Sequence, residues 1–487
     1  MTPSTAPADV EPPRRPLARI LEPSWGGVIG LFVVTAGWVI GLRPLADNSF
    51  LTHLATGRLI LDTGQVPSVD PYTFTAAGEP WVVQSWLASL AYATAEQVGG
   101  LDAVRLLTGV IAATLAGLGW ALLRPAGGVL VRLAAAALFI VVGAGMWAER
   151  PFMIGLICLA LLALAMEGRL DPRWLVPIGW VWVNTHGSFP LGVVLLVVAG
   201  VGRRLDGERP ELELRCLRWA VPGMLLGAVG PLGPKVLFFP IELLRRQDLL
   251  SQVVEWRAPT FDSTSQRMFI AQLALAIVLV ARRPSYRGAL LIAVFGGMAL
   301  LGSRNLAVAS LVLLPVMAPA LAGVGTMGSA DRARPARLAG IAAVAMLLLL
   351  TVARSNQAPL ELRKYPIGAL VYLEEAGIDT REVRMVAPDF VGNLLDFVYG
   401  PEQRTFYDDR FDMFPDDISR AQVAVNLGAP SMRVELDRLD IDLAVMKTAS
   451  ATGQVLITDV DWRVLYLDEG WTLLCRRDAA LSATDRC

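Results

Sequence analysis

Trp25–Leu42 reads WGGVIGLFVVTAGWVIGL, and a few residues later Asp47–Leu61 reads DNSFLTHLATGRLIL. The first stretch holds no charged residue and is long enough for a membrane-spanning helix. The second starts with an acid just where that span would leave the bilayer, then carries apolar residues at helical spacing. A helix with this pattern is expected to lie in the plane of the membrane interface. Further apolar runs near 101–122, 129–147, 151–166, 217–230, 268–281, 287–301, 305–323 and 338–353 repeat the first signal. Between them, 174–201 is apolar but broken by Asn184-Thr185-His186-Gly187, which predicts two short helices meeting at a polar turn. The pattern as a whole is that of a polytopic α-helical membrane protein with about 11 membrane segments.

Composition agrees with that reading. Of 487 residues, 54% are hydrophobic and 18% charged, with a mean hydropathy of +0.51; a soluble chain carries about a quarter charged residues. Lys235, Lys364 and Lys447 are the only lysines, and the excess of arginine and alanine points to a high-GC bacterial genome. From Arg354 onward acids outnumber bases by roughly eight, which argues against nucleic acid as a partner. Cys158, Cys216, Cys475 and Cys487 show neither CxxC nor Cys/His spacing, so no zinc site or disulfide framework is indicated. Cys475 and Cys487 are the pair that could join outside the membrane.

Arginine sets the orientation. Residues 1–24 are polar and Pro-rich, with Arg14, Arg15 and Arg19 ahead of the first span, and are expected to form a disordered cytoplasmic N-terminus. The polar lead is too long for a secretory signal and lacks small residues at a cleavage site, so the first span is expected to be retained. With that end inside, Arg124 and Arg132, Arg169 and Arg173, the group from Arg203 to Arg218, the group from Arg282 to Arg287, and Arg332, Arg334 and Arg337 all face the cytoplasm. The alternation requires 174–201 to be a hairpin with both ends inside, and it puts everything after Arg354 outside. The expected organisation is a transmembrane domain, 25–353, with a large first outer loop at 43–100, and an extracytoplasmic domain at 354–487. The latter alternates β-type runs (384–387, 443–446, 463–466, 471–475) with helical patterns (367–376, 431–439), which predicts a small α/β domain. No GxGxxG or GxxxxGK[ST] fingerprint occurs. Its densest polar cluster, Tyr407–Asp412, reads either as a metal or sugar site or as a solvated acidic loop.

Outer-face residues then form a group: Asp47, Glu149-Arg150-Pro151, Asn184 and His186, Glu255-Trp256-Arg257, and Ser303-Arg304-Asn305. The run Asp47–Gly57, the turn Val69-Asp70-Pro71, Pro80-Trp81 with Trp86-Leu87, Arg150-Pro151, Asn184-Thr185-His186-Gly187, Glu255–Pro259 and Asp409-Arg410 resemble signatures of a bacterial group within the GT-C superfamily of membrane glycosyltransferases. The resemblance covers nearly the whole chain. It implies a GT-C-like fold and transfer of a sugar from a polyprenyl-phosphate donor to a glycan, lipid or protein acceptor, usually with inversion. It also implies residence in the bacterial cytoplasmic membrane. Many members carry two acids close together in the first loop; here Asn48 and Ser49 follow Asp47. A Gly-Gly-Tyr stretch common in the tail stands here as Val391-Gly392-Asn393. No cofactor is implied beyond a divalent metal ion, which the resemblance leaves open.

Such a reaction needs a carboxylate to take the acceptor's proton and cations to hold the departing phosphate. Asp47 is the expected base, with Glu255 in reserve. Arg304, flanked by apolar segments, is the first choice for the phosphate, since an arginine buried there without an anionic partner is costly; its alternative is a structural pairing with Glu149 or Glu255. Arg150 and Arg257 are further candidates for that role. His53, His186 and Asn184 are candidate substrate contacts, against plain structural roles at a helix face and a polar turn. Competing readings are a lipid or polysaccharide transporter or flippase, and a non-catalytic envelope scaffold. A transporter is expected to show paired interrupted helices, and only the interruption at 184–187 is visible.

Overall fold

The computed structural model describes residues 24–246, 254–324, 333–402 and 404–479; most of the expected N-terminal segment, Arg332 and Cys487 lie outside the described residues. The helical body runs α1 (Trp25–Gly41), α2 (Asn48–Thr63), α3 (Trp86–Leu122), α4 (Val129–Gly143), α5 (Pro151–Met166), α6 (Leu175–Thr185), α7 (Pro190–Leu205), α8 (Glu211–Leu226), α9 (Lys235–Arg245), α10 (Thr264–Arg282), α11 (Tyr286–Leu291), α12 (Gly297–Leu301), α13 (Leu306–Ala320) and α14 (Ala333–Ser355). Among the described residues four helical stretches are long and apolar enough to cross a bilayer, within Trp86–Leu122, Thr264–Arg282, Ser303–Ala320 and Ala336–Ser355, and shorter apolar helices accompany them. The protein is an integral, multi-pass membrane protein. Each apolar run read from the sequence coincides with a helix, and the break at 184–187 falls between α6 and α7.

Small residues decide how the first helices meet. A Cβ on Gly41 would stand 2.5 Å from the Thr108 carbonyl oxygen, and one on Gly37 would stand 2.6 Å from that of Ala112. Backbone therefore touches backbone between α1 and α3, the packing available where lipid gives helices no hydrophobic reason to associate. α3 is two helical stretches joined at a break at Gly99 and Gly100, where Gly100 takes φ 65°, and the apolar run 101–122 forms the second stretch. That left-handed value suits a residue without a Cβ.

The expected interfacial helix is α2, and its apolar face is covered by protein. Phe50, Leu51 and Leu54 are fully buried against α3 and the C-terminal region. That region contains α15 (Ile367–Glu375), β1 (Met385–Val386), α16 (Asp389–Tyr399), α17 (Asp416–Leu427), α18 (Met432–Arg438), β2 (Leu443–Lys447), α19 (Ala451–Thr458), β3 (Trp462–Leu467) and β4 (Trp471–Arg476). The sheet order is β1-β2-β4-β3, with β1 parallel to β2 and the other neighbours antiparallel. The tail and the long segment between α1 and α3 share one apolar core, in which Ala55, Tyr72, Trp81 and Val83 pack with Phe406, Phe414 and Leu474.

Two connections hold the tail beside Asp47. Leu45 donates its N–H to Pro359 at 2.8 Å and accepts from Glu361 at 2.9 Å. Arg105, 2% exposed, donates to the carbonyls of Leu42 (3.0 Å), Arg354 (2.8 Å) and Gln357 (3.0 Å). Carbonyls at a helix end lack partners within the helix, and one buried guanidinium supplies them here for both α1 and α14.

Candidate functional site

Asp47 is the N-cap of α2. Its Oδ1 accepts from the Ser49 N–H (3.1 Å) and the Ser49 hydroxyl (2.7 Å), which fixes the carboxylate and leaves Oδ2 pointing elsewhere. Oδ2 accepts from Arg150 Nε, and Arg150 Nη1 reaches on to Glu255 Oε1. Arg150 stands at the N-cap of α5, so three separate chain segments meet at one guanidinium. Glu149 adds a fourth contact: its Oε1 accepts the backbone N–H groups of Ala46 (2.5 Å) and Asp47 (2.6 Å). Side-chain exposure is 8% for Asp47, 27% for Arg150 and 40% for Glu255, so the line of charges opens outward at Glu255. Burial pushes the Glu149 carboxyl up, helped by the charge of Asp47 and opposed by the two N–H donors. Burial would lower Arg150, but Asp47 and Glu255 outweigh it and hold the guanidinium above its ordinary value.

Arg304 lies on the helical turn between α12 and α13 and stacks over the Trp256 ring at 4.2 Å. Neither alternative pairing is formed: Glu149 holds backbone, Glu255 holds Arg150, and Arg304 makes no hydrogen bond or ion pair with the described residues. The Arg257 side chain is exposed, while its carbonyl accepts from Ser303 N–H at 2.9 Å and joins the two loops. His53 Nδ1 is 3.2 Å from the Ser89 hydroxyl, and burial lowers the ring to about 4, so it is a neutral imidazole near pH 7. His186 accepts from Ser188 N–H at 3.1 Å and packs against Phe152. Asn184 is fully buried; its amide accepts from Trp86 Nε1 (2.8 Å) and donates to Trp180 O (2.9 Å) and Gly227 O (3.3 Å). The structure therefore gathers Asp47, Arg150 and Glu255 by direct contact and sets Arg304 beside them, while Asn184 is saturated by protein partners.

The tail brings groups that no local sequence signal assigned to the site. Lys364 Nζ donates to Ala46 O at 2.5 Å, and Asp409 Oδ2 accepts from Asn48 Nδ2 at 3.1 Å. Burial holds the Asp409 carboxyl well above the usual range, reinforced by Asp408, Asp389 and Asp47. Asp409-Arg410 was visible as a motif, but only folding reveals that it faces Asp47. A cavity of about 140 Å³ adjoins Asp47, lined by Arg43, Pro44, Asp47, Thr108, Trp147 and Glu149 among others.

The Tyr407–Asp412 cluster is not a solvated loop. Asp408 and Asp70 are buried and share Arg410, at 2.6 and 2.7 Å, and the guanidinium lies 4.4 Å over Trp81. Burial also raises the Asp412 carboxyl to about 7. A folded-state value above the unfolded one favours folding in acid: the contribution is full below about 4 and is lost as pH rises through about 7. The stability difference between wild type and Asp412→Asn is accordingly expected to shift in the variant's favour from about pH 5 to about pH 8. Thermal unfolding of the full chain checks this, and a pH-independent difference would rule it out.

The sequence matches no family model and no curated protein. Solved structures do match. The chain is similar to the oligosaccharyltransferase of Archaeoglobus fulgidus in its apo form, with TM-score 0.51 and 13% identity over 86% of this chain and 69% of that one. It is similar to the same organism's AglB in complex with an inhibitory peptide and a dolichol-phosphate, with TM-score 0.50, 13% identity and the same coverage. ArnT from Cupriavidus metallidurans bound to undecaprenyl phosphate also matches, with TM-score 0.39 and 14% identity over 92% of this chain and 97% of that one. The chain shares the overall fold of the Archaeoglobus fulgidus oligosaccharyltransferase.

Proposed function

We propose that this protein is a membrane glycosyltransferase. It moves a sugar from a polyprenyl-phosphate donor to an acceptor hydroxyl at the extracytoplasmic face, with the N-terminus inside and the tail outside. The observation that carries the reading is the bridged line Asp47–Arg150–Glu255, with Arg304 beside it, at the junction of outer loop, transmembrane helices and tail. A base and cations at one membrane boundary are what such a transfer requires. The similarity to AglB, solved with a dolichol-phosphate, supports a lipid phosphate as the donor's carrier.

In the reaction the acceptor oxygen attacks the anomeric carbon, the bond from that carbon to the phosphate oxygen breaks, and the acceptor proton passes to Asp47 Oδ2. The products are the glycosylated acceptor and the polyprenyl phosphate. One displacement inverts the anomeric centre. Arg150 orients the base, and Arg304 and Arg257 receive the phosphate as its charge grows. Incubating membranes with a panel of radiolabelled polyprenyl-phosphate sugars tests this; no transfer from any of them would defeat the reading.

Arg304 gives a separate readout. Its guanidinium rests on an aromatic face and has donors to offer a phosphate. Arg304→Gln is expected to weaken binding of polyprenyl phosphate by about ten- to a hundredfold, the equivalent of a charged hydrogen bond of about 1.5–3 kcal/mol. Titration of the purified protein measures it, and unchanged affinity would assign Arg304 to structure.

A further inference from the structure

Asp47 and Glu255 come from separate loops of the helical body, yet both bind one guanidinium: Arg150 Nε reaches Asp47 Oδ2 and Nη1 reaches Glu255 Oε1. Where carboxylates share a divalent ion, the ion sits between them at about 2.0–2.6 Å from the oxygens. Here a side chain of this protein fills that place. Two nearby oxygens are occupied as well. Asp47 Oδ1 accepts two hydrogen bonds from Ser49, and Glu149 Oε1 accepts two backbone N–H groups. At the position after Asp47, Asn48 turns its Nδ2, a donor and not a ligand, toward Asp409. Among the described residues no group of three or more His, Cys, Asp or Glu side chains could hold a metal ion. A cation placed beside Asp47 would also meet the charge of Arg150 itself, only a few ångströms away, and like charges at that range repel strongly where water is scarce.

We infer that Arg150 is a built-in cation that takes the place of a divalent metal ion between Asp47 and Glu255. These residues do not fit the divalent ion that the family resemblance leaves open. A guanidinium suits the substitution because it is planar, always charged and offers several donors in fixed directions. Nε and Nη1 serve the two carboxylates; Nη2, without a hydrogen-bond partner among the described residues, remains to meet an anionic group of the substrate. That last role rests on the glycosyltransferase reading. The exclusion of the metal does not.

Mn²⁺ is the probe, with purified full-length protein. By electron paramagnetic resonance, wild type is expected to show no Mn²⁺ binding that depends on Asp47, and a chelator is expected to leave its thermal unfolding unchanged. Arg150→Ala vacates the position and is expected to bind Mn²⁺ at least about tenfold more tightly than wild type, as loss of a nearby positive charge requires. Adding Asp47→Asn should abolish that gain, and Arg150→Lys, which keeps a charge, should show none. Should Arg150→Ala fail to fold, Arg150→Gln keeps two donors and makes the same comparison. Mn²⁺ bound by wild type and released by Asp47→Asn would overturn the inference, as would a folded Arg150→Ala or Arg150→Gln protein with no gain. None of these readouts uses sugar transfer, so failure of the proposed activity leaves them intact.

Discussion

Asp47→Asn is expected to lower sugar transfer by about 10²- to 10⁴-fold while the protein still folds and inserts. The two halves of that expectation have different physical sources. Asparagine caps a helix about as well as aspartate, so its side-chain oxygen can keep the 3.1 Å bond from Ser49 N–H that starts α2. Glu255 continues to hold Arg150, and Glu149 continues to hold the backbone of Ala46 and Asp47. What disappears is Asp47 Oδ2, the carboxylate oxygen assigned to take the acceptor's proton. Transfer from radiolabelled polyprenyl-phosphate sugars, compared at equal amounts of inserted protein, measures the loss. Equal rates in the two proteins would remove Asp47 from the mechanism and return it to a capping role.

Arg410→Ala is expected to destabilise the unit formed by outer loop and tail by about 3–5 kcal/mol. Arg410 is 7% exposed and sits between Asp70, 1% exposed, and Asp408, fully buried. Removing it strands two carboxylates away from water, and it also removes the cation from the faces of Tyr72 and Trp81. Asp70 is itself in use, since it accepts from the N–H groups of Tyr72 and Thr73 and holds the turn in place. Asp70→Asn should therefore cost less than Arg410→Ala, because Arg410 keeps Asp408. Denaturant unfolding of the full chain, with limited proteolysis of the outer loop, provides the comparison. Wild-type resistance in Arg410→Ala would mean that the apolar core around Phe406 and Trp81 holds the tail unaided.

The same pair shows where the sequence stops being informative. Val69-Asp70-Pro71 and Asp409-Arg410 each stood out as a motif, but nothing local says that Asp70 and Arg410, 340 residues apart, touch. The Tyr407–Asp412 run looked as solvent-loving as any acidic loop; burial beneath the outer loop gives it its meaning. The strands β2 and β4, by contrast, lie within a residue or so of their apolar runs, since a buried strand writes its hydrophobicity directly into consecutive positions.

By itself the sequence determined that Trp25–Leu42 is a helix of membrane character, that Asp47 follows it ahead of a second helical stretch, and that an α/β region closes the chain. These are local properties, since hydropathy and helical spacing are read over neighbouring positions. Only the tertiary structure decided that Arg150 meets both Asp47 and Glu255, that Arg304 rests on Trp256, and that Asn48 reaches Asp409 from the tail. An ion pair between residues more than a hundred positions apart is set by how helices pack and loops close, and neither partner's sequence neighbourhood carries a trace of it.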